Sequence, residues 1–424
     1  MSEDNNEKQT LVPKLRFPEF REAGDWGNKF GGEVLDQISN KDHNSDLPVL
    51  AITQEHGAVP RSLIDYHVSV ADKSIEGYKV VEVGDFIISL RSFQGGIEYS
   101  RYKGICSPAY VILRLRSGYS ADYFRHFLKT DRFIGQLTKN LEGLRDGKMV
   151  SYKQFSELRL PTPSSKEQQK VADCLSSIDD LITTESQKLG TLKAYKKGLM
   201  QQLFPCEGET VPRLRFPEFR EAGEWEEKAI GEKLDLLSGF PFDGTDIGED
   251  ASGVPLMRGV NITEGFIRHN DDIDRFFCGS SAELEKYRLR ENDLVIGMDG
   301  SKVGKNSALV ASADAGALLV QRVARLRSEC ETTIRFVFQH INSNAFHAYV
   351  DRINTSGGIP HISLKQISDF KICFPGMSEQ QQIAECLSSL DDLITAQNQK
   401  FDALKTHKKG LMQQLFPVHN EVQG

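Results

Sequence analysis

Two internal repeats constrain the fold of this chain more than any other feature of its sequence. A short repeat, VPKLRFPEFREAGDW at residues 12–26, returns 199 residues later as VPRLRFPEFREAGEW at residues 211–225. A long repeat, EQQKVADCLSSIDDLI…KKGLMQQLFP at residues 167–205, returns in closely similar form at residues 379–417. Because similar segments form similar local structures, the 424-residue chain is predicted to fold as two related units.

Each long repeat is predicted to form one helix with a heptad seam. Its seam residues are spaced alternately by four and three, which is typical of a coiled coil. Glu185 and Lys196 are polar positions in the first seam, and Gln397 and Lys408 are their copies in the second. The apolar seam residues are Val171, Leu175, Ile178, Ile182, Leu189, Leu192, Leu199 and Leu203, then Ile383, Leu387, Leu390, Ile394, Phe401, Leu404, Leu411 and Leu415.

The ends of the two helices can also be predicted. Ser164 or Ser165 is expected to cap the first helix and Ser378 the second, while Gly198, Gly410 and the proline of each LFP bring the helices toward their ends. At about 1.5 Å per residue, each helix spans roughly 55 Å. Antiparallel packing of the two helices would bury both seams. The alternative is that each helix lies on its own domain as an ordinary amphipathic helix.

The interiors between the repeats are predicted to be two versions of one α/β fold that differ mainly in their loops. GDFIISLRS in the first resembles NDLVIGMDG in the second. Strands are expected at residues 85–90, 110–115, 293–298 and 317–326, and helices at 121–140 and 334–353. Recent recombination within the gene is an alternative explanation for repeats that match better than the interiors.

The predicted fold class is α+β, with two similar α/β domains separated by two long helices packed as an antiparallel coiled coil, in a pseudo-two-fold repeat. The predicted bounds are 1–26 for the first short repeat, 27–162 for the first variable domain, 163–205 for the first long helix, 206–225 for a linker and the second short repeat, 226–374 for the second variable domain, and 375–424 for the second long helix and tail.

Composition excludes some classes of protein. The net charge of −8 argues against a protein that coats nucleic acid without sequence preference, although local basic surfaces remain compatible with it. There is no run of 18 apolar residues, and the first residues are polar and acidic, so we expect a cytoplasmic protein with no membrane partner. The seven scattered cysteines form no C-x-x-C, so neither disulfides nor zinc are expected.

Catalytic motifs are missing from the sequence. GMDGSKVGKN at residues 297–306 resembles a phosphate-binding loop, but the glycine spacing is one residue short and Asn306 replaces the hydroxyl residue, so a glycine-rich turn between strands is the better interpretation. No H-E-x-x-H, no G-x-S-x-G and no Pro-Pro pair of an amino-methyltransferase motif occurs. His361 has no evident nucleophile or carboxylate partner nearby in the sequence. We therefore predict a chain that is not an enzyme, with no catalytic or metal-binding residues.

The repeats resemble those of the specificity (S) subunit of type I restriction-modification enzymes. The resemblance rests on LRFPEF followed by Trp26 or Trp225, on GGIPHISLKQI at residues 357–367, and on the doubled long repeat. It implies two target recognition domains that each read one half of a bipartite double-stranded DNA site. It also implies that the repeated helices set the spacing between the half-sites and dock two modification (methyltransferase) subunits. Restriction subunits would join them, and S-adenosylmethionine, ATP and Mg would be used by those partners.

The residues that would read DNA are predicted to be polar side chains in loops. Arginine can pair with guanine, glutamine with adenine, and aspartate can accept a hydrogen bond from cytosine. For each residue, a phosphate contact or plain solvent exposure is the alternative. The first unit has RDGKMVSYKQF in place of GGIPHISLKQI, so no role is carried from His361 to the first domain. The candidates are Arg91, Ser92, Gln94, Arg145 and Lys148 in the first domain, and Asp299, Ser301, Lys302, Lys305 and His361 in the second.

Two other functions would fit parts of this pattern. A structural adaptor would use the twin helices to bind proteins, and its variable domains would bind protein or carbohydrate. A self-contained DNA methyltransferase would need the catalytic motif that the sequence lacks. Binding of S-adenosylmethionine by the isolated chain would distinguish the second alternative.

Overall fold

The chain divides into two compact units that do not follow chain order. A computed structural model describes residues 11–44, 46–64, 72–139, 150–354 and 360–417. Unit 1 comprises Met1–Ser186 with Lys400–Gly424, and unit 2 comprises Gln187–Gln399. Each unit therefore combines one variable interior with part of both long helices. Within the described ranges, no helix is long and apolar enough to cross a membrane.

Unit 1 contains short strands and small helices beside the long ones. Its strands are β1 (Gly27–Phe30), β2 (Leu35–Ile38), β3 (Leu50–Thr53), β4 (Gly57–Pro60), β5 (Lys79–Val81), β6 (Phe86–Ile88), β7 (Glu98–Tyr99), β8 (Gly104–Cys106), β9 (Val111–Leu115) and β10 (Arg159–Thr162). Its small helices are α1 (Gly31–Val34), α2 (Ser92–Gly95), α3 (Ala121–Phe127), α4 (Asp131–Lys139) and α5 (Tyr152–Ser156). The first long helix, α6 (Ser165–Leu203), begins in unit 1 and ends in unit 2.

Unit 2 follows the same plan. Its strands are β11 (Glu226–Ala229), β12 (Asp235–Ser238), β13 (Ile247–Gly248), β14 (Val254–Met257), β15 (Phe276–Phe277), β16 (Leu294–Gly297), β17 (Ser307–Leu309), β18 (Leu318–Leu319), β19 (Val323–Arg327) and β20 (Lys371–Phe374). Its small helices are α7 (Glu331–Ile341), α8 (Asn344–Ile353) and α9 (Leu364–Asp369). The second long helix, α10 (Met377–Leu415), begins in unit 2 and ends in unit 1.

The central sheets of the two units have matching topology. The strand order is β2-β9-β6-β7 in unit 1 and β12-β19-β16-β17 in unit 2, and all of these neighbours are antiparallel. The β1-β10 pair likewise corresponds to β11-β20. The units differ beside this sheet: unit 1 has the pairs β3-β4 and β5-β8, whereas unit 2 has one sheet of order β13-β15-β14-β18. The interiors are therefore two versions of one fold, as predicted.

One buried ion pair recurs beside both central sheets. Asp85, just before β6, accepts two hydrogen bonds from Arg114 on β9, at 2.7 and 2.8 Å. Asp293, just before β16, accepts two from Arg327 on β19, at 2.7 and 2.6 Å. Both carboxylates are buried. A buried carboxylate needs such a partner. The pair therefore holds the start of β6 to β9 in unit 1 and the start of β16 to β19 in unit 2.

The long helices run antiparallel within unit 1. Every predicted seam residue is buried or half-buried. Asp179 on α6 accepts a hydrogen bond from Lys408 on α10 at 2.5 Å, and Glu185 pairs with Lys400 at 2.5 Å. Asp179 and Glu185 are six residues apart along α6, and their partners Lys408 and Lys400 follow in reverse order along α10. The two helices therefore run in opposite directions.

Unit 2 contains the corresponding pairing. Lys196 on α6, the repeat copy of Lys408, donates to Asp391 on α10 at 2.6 Å. Leu203 packs in the same core as Ile383 and Leu387. The end of α6 therefore lies beside the start of α10, and the antiparallel arrangement predicted from the heptads is present in each unit.

Two predictions about helix ends differ in outcome. Ser164 caps α6, since its hydroxyl accepts from Glu167 N at 3.3 Å. The prediction for Ser378 is wrong, because this residue lies inside α10 and the carbonyl of Gly376 accepts the Glu379 N–H at 3.0 Å.

The helices predicted at residues 121–140 and 334–353 are each divided in two. A hydroxyl side chain causes the break at the same place in both units. Thr130 Oγ1 accepts from Phe133 N at 3.3 Å, and Ser343 Oγ accepts from Phe346 N at 3.4 Å. Each hydroxyl caps a new helix, α4 or α8, and ends the preceding one early.

The short repeats bind the long helices through one buried ion pair each. Arg16 donates to both carboxylate oxygens of Glu167, at 2.7 and 2.8 Å, and to the carbonyl of Gly24 at 2.7 Å. Trp26 Nε1 donates to the same carboxylate at 2.9 Å. This arrangement explains why the LRFPEF segment and the start of the long helix recur together.

The second short repeat forms the same ion pair with α10, without the tryptophan hydrogen bond. Arg215 donates to both oxygens of Glu379 at 2.7 Å. Leu15 N donates to the carbonyl of Gln414 at 3.0 Å, and Leu214 N donates to that of Gln202 at 2.9 Å. Each short repeat therefore joins the start of one long helix to the end of the other.

Replacing His340 by phenylalanine is expected to protect unit 2 against acid. His340 stacks on Phe204, with ring centroids 3.9 Å apart, where unit 1 has Phe127 packed on Phe416 at 5.5 Å. Burial lowers the pKa of His340 from 6.5 to about 3. As the pH falls, the imidazole of His340 is therefore protonated in the unfolded chain before it is protonated in the folded one. The folded state loses stability as the pH falls below about 6.5.

The increase in the free energy of unfolding of unit 2 caused by His340→Phe should be about 2 kcal/mol larger at pH 5 than at pH 7.5. Hydrogen exchange of α7 at the two pH values measures it, because this readout follows unit 2 alone. An equal gain at both values would show that protonation of His340 does not limit stability.

Candidate nucleic-acid interface

Seven of the ten predicted DNA-reading residues lie in two matching loops. In unit 1 the loop follows β6 and covers residues 89–97, and in unit 2 it follows β16 and covers residues 298–306. These strands hold the same place in the two central sheets. The two loops therefore follow equivalent strands but differ in sequence.

In unit 1, two of the candidates are available to a ligand. Arg91 and Gln94 are exposed. Ser92 is buried, and its hydroxyl accepts a hydrogen bond from Ser89 N at 2.8 Å, so this side chain shapes the turn and cannot reach a base. Arg145 and Lys148 lie outside the described residues.

A half-buried lysine holds the unit 1 loop in place. Lys129 Nζ donates to the carbonyl of Gly95 at 2.9 Å and to that of Gln54 at 3.4 Å, and it contacts the carboxylate of Glu98. Burial raises the pKa of Glu98 and lowers the pKa of Lys129, and the attraction between the two charges opposes both shifts. The position of Arg91 and Gln94 therefore depends on this ion pair.

Further basic residues lie around Tyr110 and were not among the predicted ones. Burial raises the pKa of the Tyr110 hydroxyl, and the positive charges of Arg61 and Arg91 oppose that rise. Lys79 Nζ donates to the carbonyl of Tyr110 at 2.7 Å. These cations are far apart in the sequence, so only the pairing of β5 with β8 and the fold of the loops bring them together.

In unit 2, the structure brings Asp299 and His361 together. Their backbones form an antiparallel bridge, and Gly300 N donates to the carbonyl of Pro360 at 3.1 Å. His361 N donates to Asn354 Oδ1 at 2.7 Å. The side chains of Asp299 and His361 are exposed, so both can meet a ligand.

The other three candidates of unit 2 lie in the same loop. Ser301 is exposed. Lys302 pairs with Glu264 at 3.0 Å and Lys305 with Asp351 at 3.2 Å. Because such solvent-exposed pairs contribute only about 0 to 1 kcal/mol, either lysine can exchange its carboxylate for a phosphate.

The glycine-rich segment is a turn between strands, as predicted. It connects β16 to β17, whereas a phosphate-binding loop leads from a strand into a helix. Gly300 and Gly304 have φ of 90° and 68°, in the left-handed region that favours glycine.

Sequence analysis missed an exposed arginine beside this loop. The strand predicted at residues 317–326 is two strands, β18 and β19, separated by a turn in which Val323 N donates to the carbonyl of Val320 at 3.2 Å. Arg322 in this turn has φ of 70°, which costs a residue with a side chain about 1 kcal/mol. The apolar residues on both sides concealed the turn in the sequence.

The two loops offer hydrogen-bond donors, acceptors and positive charge. Among the described residues, no group of His, Cys, Asp and Glu side chains is arranged to hold a metal ion. Arginine, glutamine and aspartate are among the side chains that distinguish base pairs in the major groove. Both loops therefore present side chains of the kinds that contact bases or phosphates.

A family model matches most of the chain. The model for the type I restriction modification DNA specificity domain matches residues 19–194 and again residues 253–406. Each match falls within one copy of the internal repeat. Both variable interiors and both long helices fall largely inside them.

Curated relatives agree with the family model. The chain is 26% identical over 422 residues to the type I restriction enzyme MjaVIII specificity subunit of Methanocaldococcus jannaschii, covering 95% of this chain and 93% of that one. It is 30% identical over 188 residues to the EcoAI specificity subunit of Escherichia coli, covering 44% of this chain and 31% of that one.

Solved structures show the same fold. The S subunit of a type I restriction-modification system from M. genitalium matches with a TM-score of 0.58 at 15% identity, covering 97% of this chain and all of that one. A chain from a study of complex assembly and conformational transition of the type I R-M system matches with a TM-score of 0.53 at 15% identity, covering 93% and 98%. The chain belongs to the family of type I restriction-modification DNA specificity subunits.

Proposed function

We propose that each variable domain reads one half of an asymmetric bipartite DNA target. One observation carries this proposal: the loop after the same strand presents Arg91 and Gln94 in unit 1 but Asp299, with His361 bridged to it, in unit 2. A common scaffold with different base-reading side chains recognises two different sequences. The repeated helices set the length of the unread spacer between the two halves.

We further infer that two modification subunits dock on the repeats. Support comes from apolar side chains that are equally exposed in both copies. They are Val12 and Val211 at 45% and 44%, Leu15 and Leu214 both at 40%, and Leu181 and Leu393 at 51% and 54%. Because exposed apolar side chains favour a protein partner, equal exposure at repeated positions fits two copies of one partner.

The chemistry of the complex is assigned to the partner subunits. Methyl transfer from S-adenosylmethionine belongs to the modification subunits, and ATP and Mg serve the restriction subunits. The chain itself contributes recognition and no catalytic group. Since its ligand is genomic DNA, the complex works in the cytoplasm.

Exchange of one variable domain tests the proposal. We expect that replacing residues 27–162 by the matching segment of a relative with another target changes one half of the methylated sequence only. The other half and the spacer should stay the same, because unit 2 and the long helices are untouched. The readout is the methylated motif in genomic DNA.

The short repeats supply the control for this exchange. Lys14→Arg with Asp25→Glu converts the first short repeat into the second and should leave the motif unchanged. If the domain exchange alters both halves or neither, the assignment of one half to each domain is wrong. The adaptor alternative predicts a complex that protects no split DNA sequence.

A further inference from the structure

Three backbone segments meet at the end of β16 in unit 2. Met298 N donates to the carbonyl of Arg322 at 2.9 Å, and Ile362 N donates to the carbonyl of Met298 at 2.9 Å. Asp299 forms its bridge with His361 on the same edge. Arg322, Asp299 and His361 lie on these three neighbouring segments, and all three are exposed.

The backbone of Arg322 is in a conformation that arginine rarely adopts. Its φ of 70° falls at the third position of a turn, where glycine or asparagine is favoured. Asn292, with φ of 65°, is the other such residue in the described ranges, and its side chain accepts a hydrogen bond from Arg335 at 3.2 Å. Within those ranges, no side-chain hydrogen bond or ion pair of Arg322 accounts for its conformation, so the fold does not explain the choice of arginine.

Unit 1 shows that the scaffold does not need this arginine. On β9, Leu113 pairs with Phe86, and on β19, Leu326 pairs with Leu294. Counting back along the two strands from these matched pairs places Ala109 of unit 1 at the position of Arg322. The arginine is thus specific to the second domain, and strained residues of this kind concentrate at functional sites.

The side chains of Arg322 and Asp299 are complementary to the two bases of a G·C pair. An arginine can donate two parallel hydrogen bonds to O6 and N7 of guanine, and an aspartate can accept from N4 of cytosine. Building on the proposed function, we propose that Arg322 and Asp299 form a site that reads a G·C base pair in the second half-site, with Arg322 on the guanine. His361 flanks the same site.

Three variants of the full chain, each in complex with its modification subunits, test the assignment. Arg322→Gly removes the guanidinium and relieves the strain, Arg322→Lys keeps the charge without the paired donors, and Asn292→Gly removes the other strained side chain of the domain as a control. Each complex methylates a DNA library randomised at the second half-site and, separately, at the first.

The wild-type complex should require guanine at one position of the second half-site. Arg322→Gly should lose about tenfold or more of that preference, at that position alone. Its melting temperature should not fall, because glycine relieves the backbone strain. Arg322→Lys should keep only part of the preference, and Asn292→Gly should keep all of it.

Three results would overturn the assignment. Equal weakening on every sequence would make Arg322 a phosphate contact, and an unchanged sequence preference would remove it from the interface. Lost preference for a base other than guanine would contradict the G·C assignment in the same way. A wild-type complex with no bipartite target is a different result, since it would refute the proposed function itself.

Discussion

Replacing Arg16 by methionine is expected to lower the free energy of unfolding of unit 1 by about 3 to 5 kcal/mol. The substitution removes both hydrogen bonds from Arg16 to Glu167 and leaves that carboxylate buried, with Trp26 Nε1 as a remaining donor. Only 2% of the Glu167 side chain is exposed, so water cannot replace the guanidinium. The same hydrogen bond raises the pKa of Arg16 above its usual value.

Hydrogen exchange at the start of α6 measures this loss within unit 1. Arg21→Met is the matched control, because Arg21 is an exposed arginine of the same short repeat and should change stability by less than about 0.5 kcal/mol. Arg16→Met combined with Glu167→Gln should recover part of the loss, since no buried charge remains. Equal effects of the two arginine variants would show that the ion pair does not hold the short repeat to the helix.

Replacing Lys129 by methionine is expected to destabilise unit 1 by about 3 kcal/mol and to abolish recognition of the first half-site. Glu98 is buried, and its pKa is already raised by burial against the attraction of Lys129. Without the lysine, the pKa of Glu98 rises further and the carboxyl group takes up a proton. The carbonyl of Gly95 also loses its donor, so the turn that carries Arg91 and Gln94 is released.

Methylation of a library randomised at each half-site separates these effects. The Lys129→Met complex should lose preference in the first half-site and keep it in the second, because unit 2 is unaltered. Lys103→Met is the control, as Lys103 forms only a surface pair with Glu82 at 2.9 Å, worth about 1 kcal/mol or less. If Lys103→Met and Lys129→Met behave alike, the buried pair does not position the loop.

The repeats allowed the long helices and the matched strands to be predicted from the sequence. Heptad spacing places every seam residue at a buried or half-buried position, and the internal comparison of GDFIISLRS with NDLVIGMDG identifies the matched strands β6 and β16. Both signals are periodic or repeated, so they are visible in one sequence. The exposed candidates Asp299, Ser301 and Lys302 lie in the loop that follows β16.

Features that depend on single contacts were harder to predict. Ser92 looks like any polar loop residue until its hydroxyl is seen to accept from Ser89 N. Thr130 and Ser343 break predicted helices through one hydrogen bond each. Arg322 lies in a turn that apolar neighbours conceal, because its φ is set by tertiary hydrogen bonds that sequence patterns do not record.

The measurement that tests the central claim most directly is the methylated motif in genomic DNA from cells that carry this chain with its partners. The account predicts two short half-sites of different sequence, separated by a spacer of fixed length in which every base is tolerated. A continuous motif, or two half-sites that are inverted copies of each other, would contradict the claim that two different variable domains, joined by the repeated helices, each read one half-site.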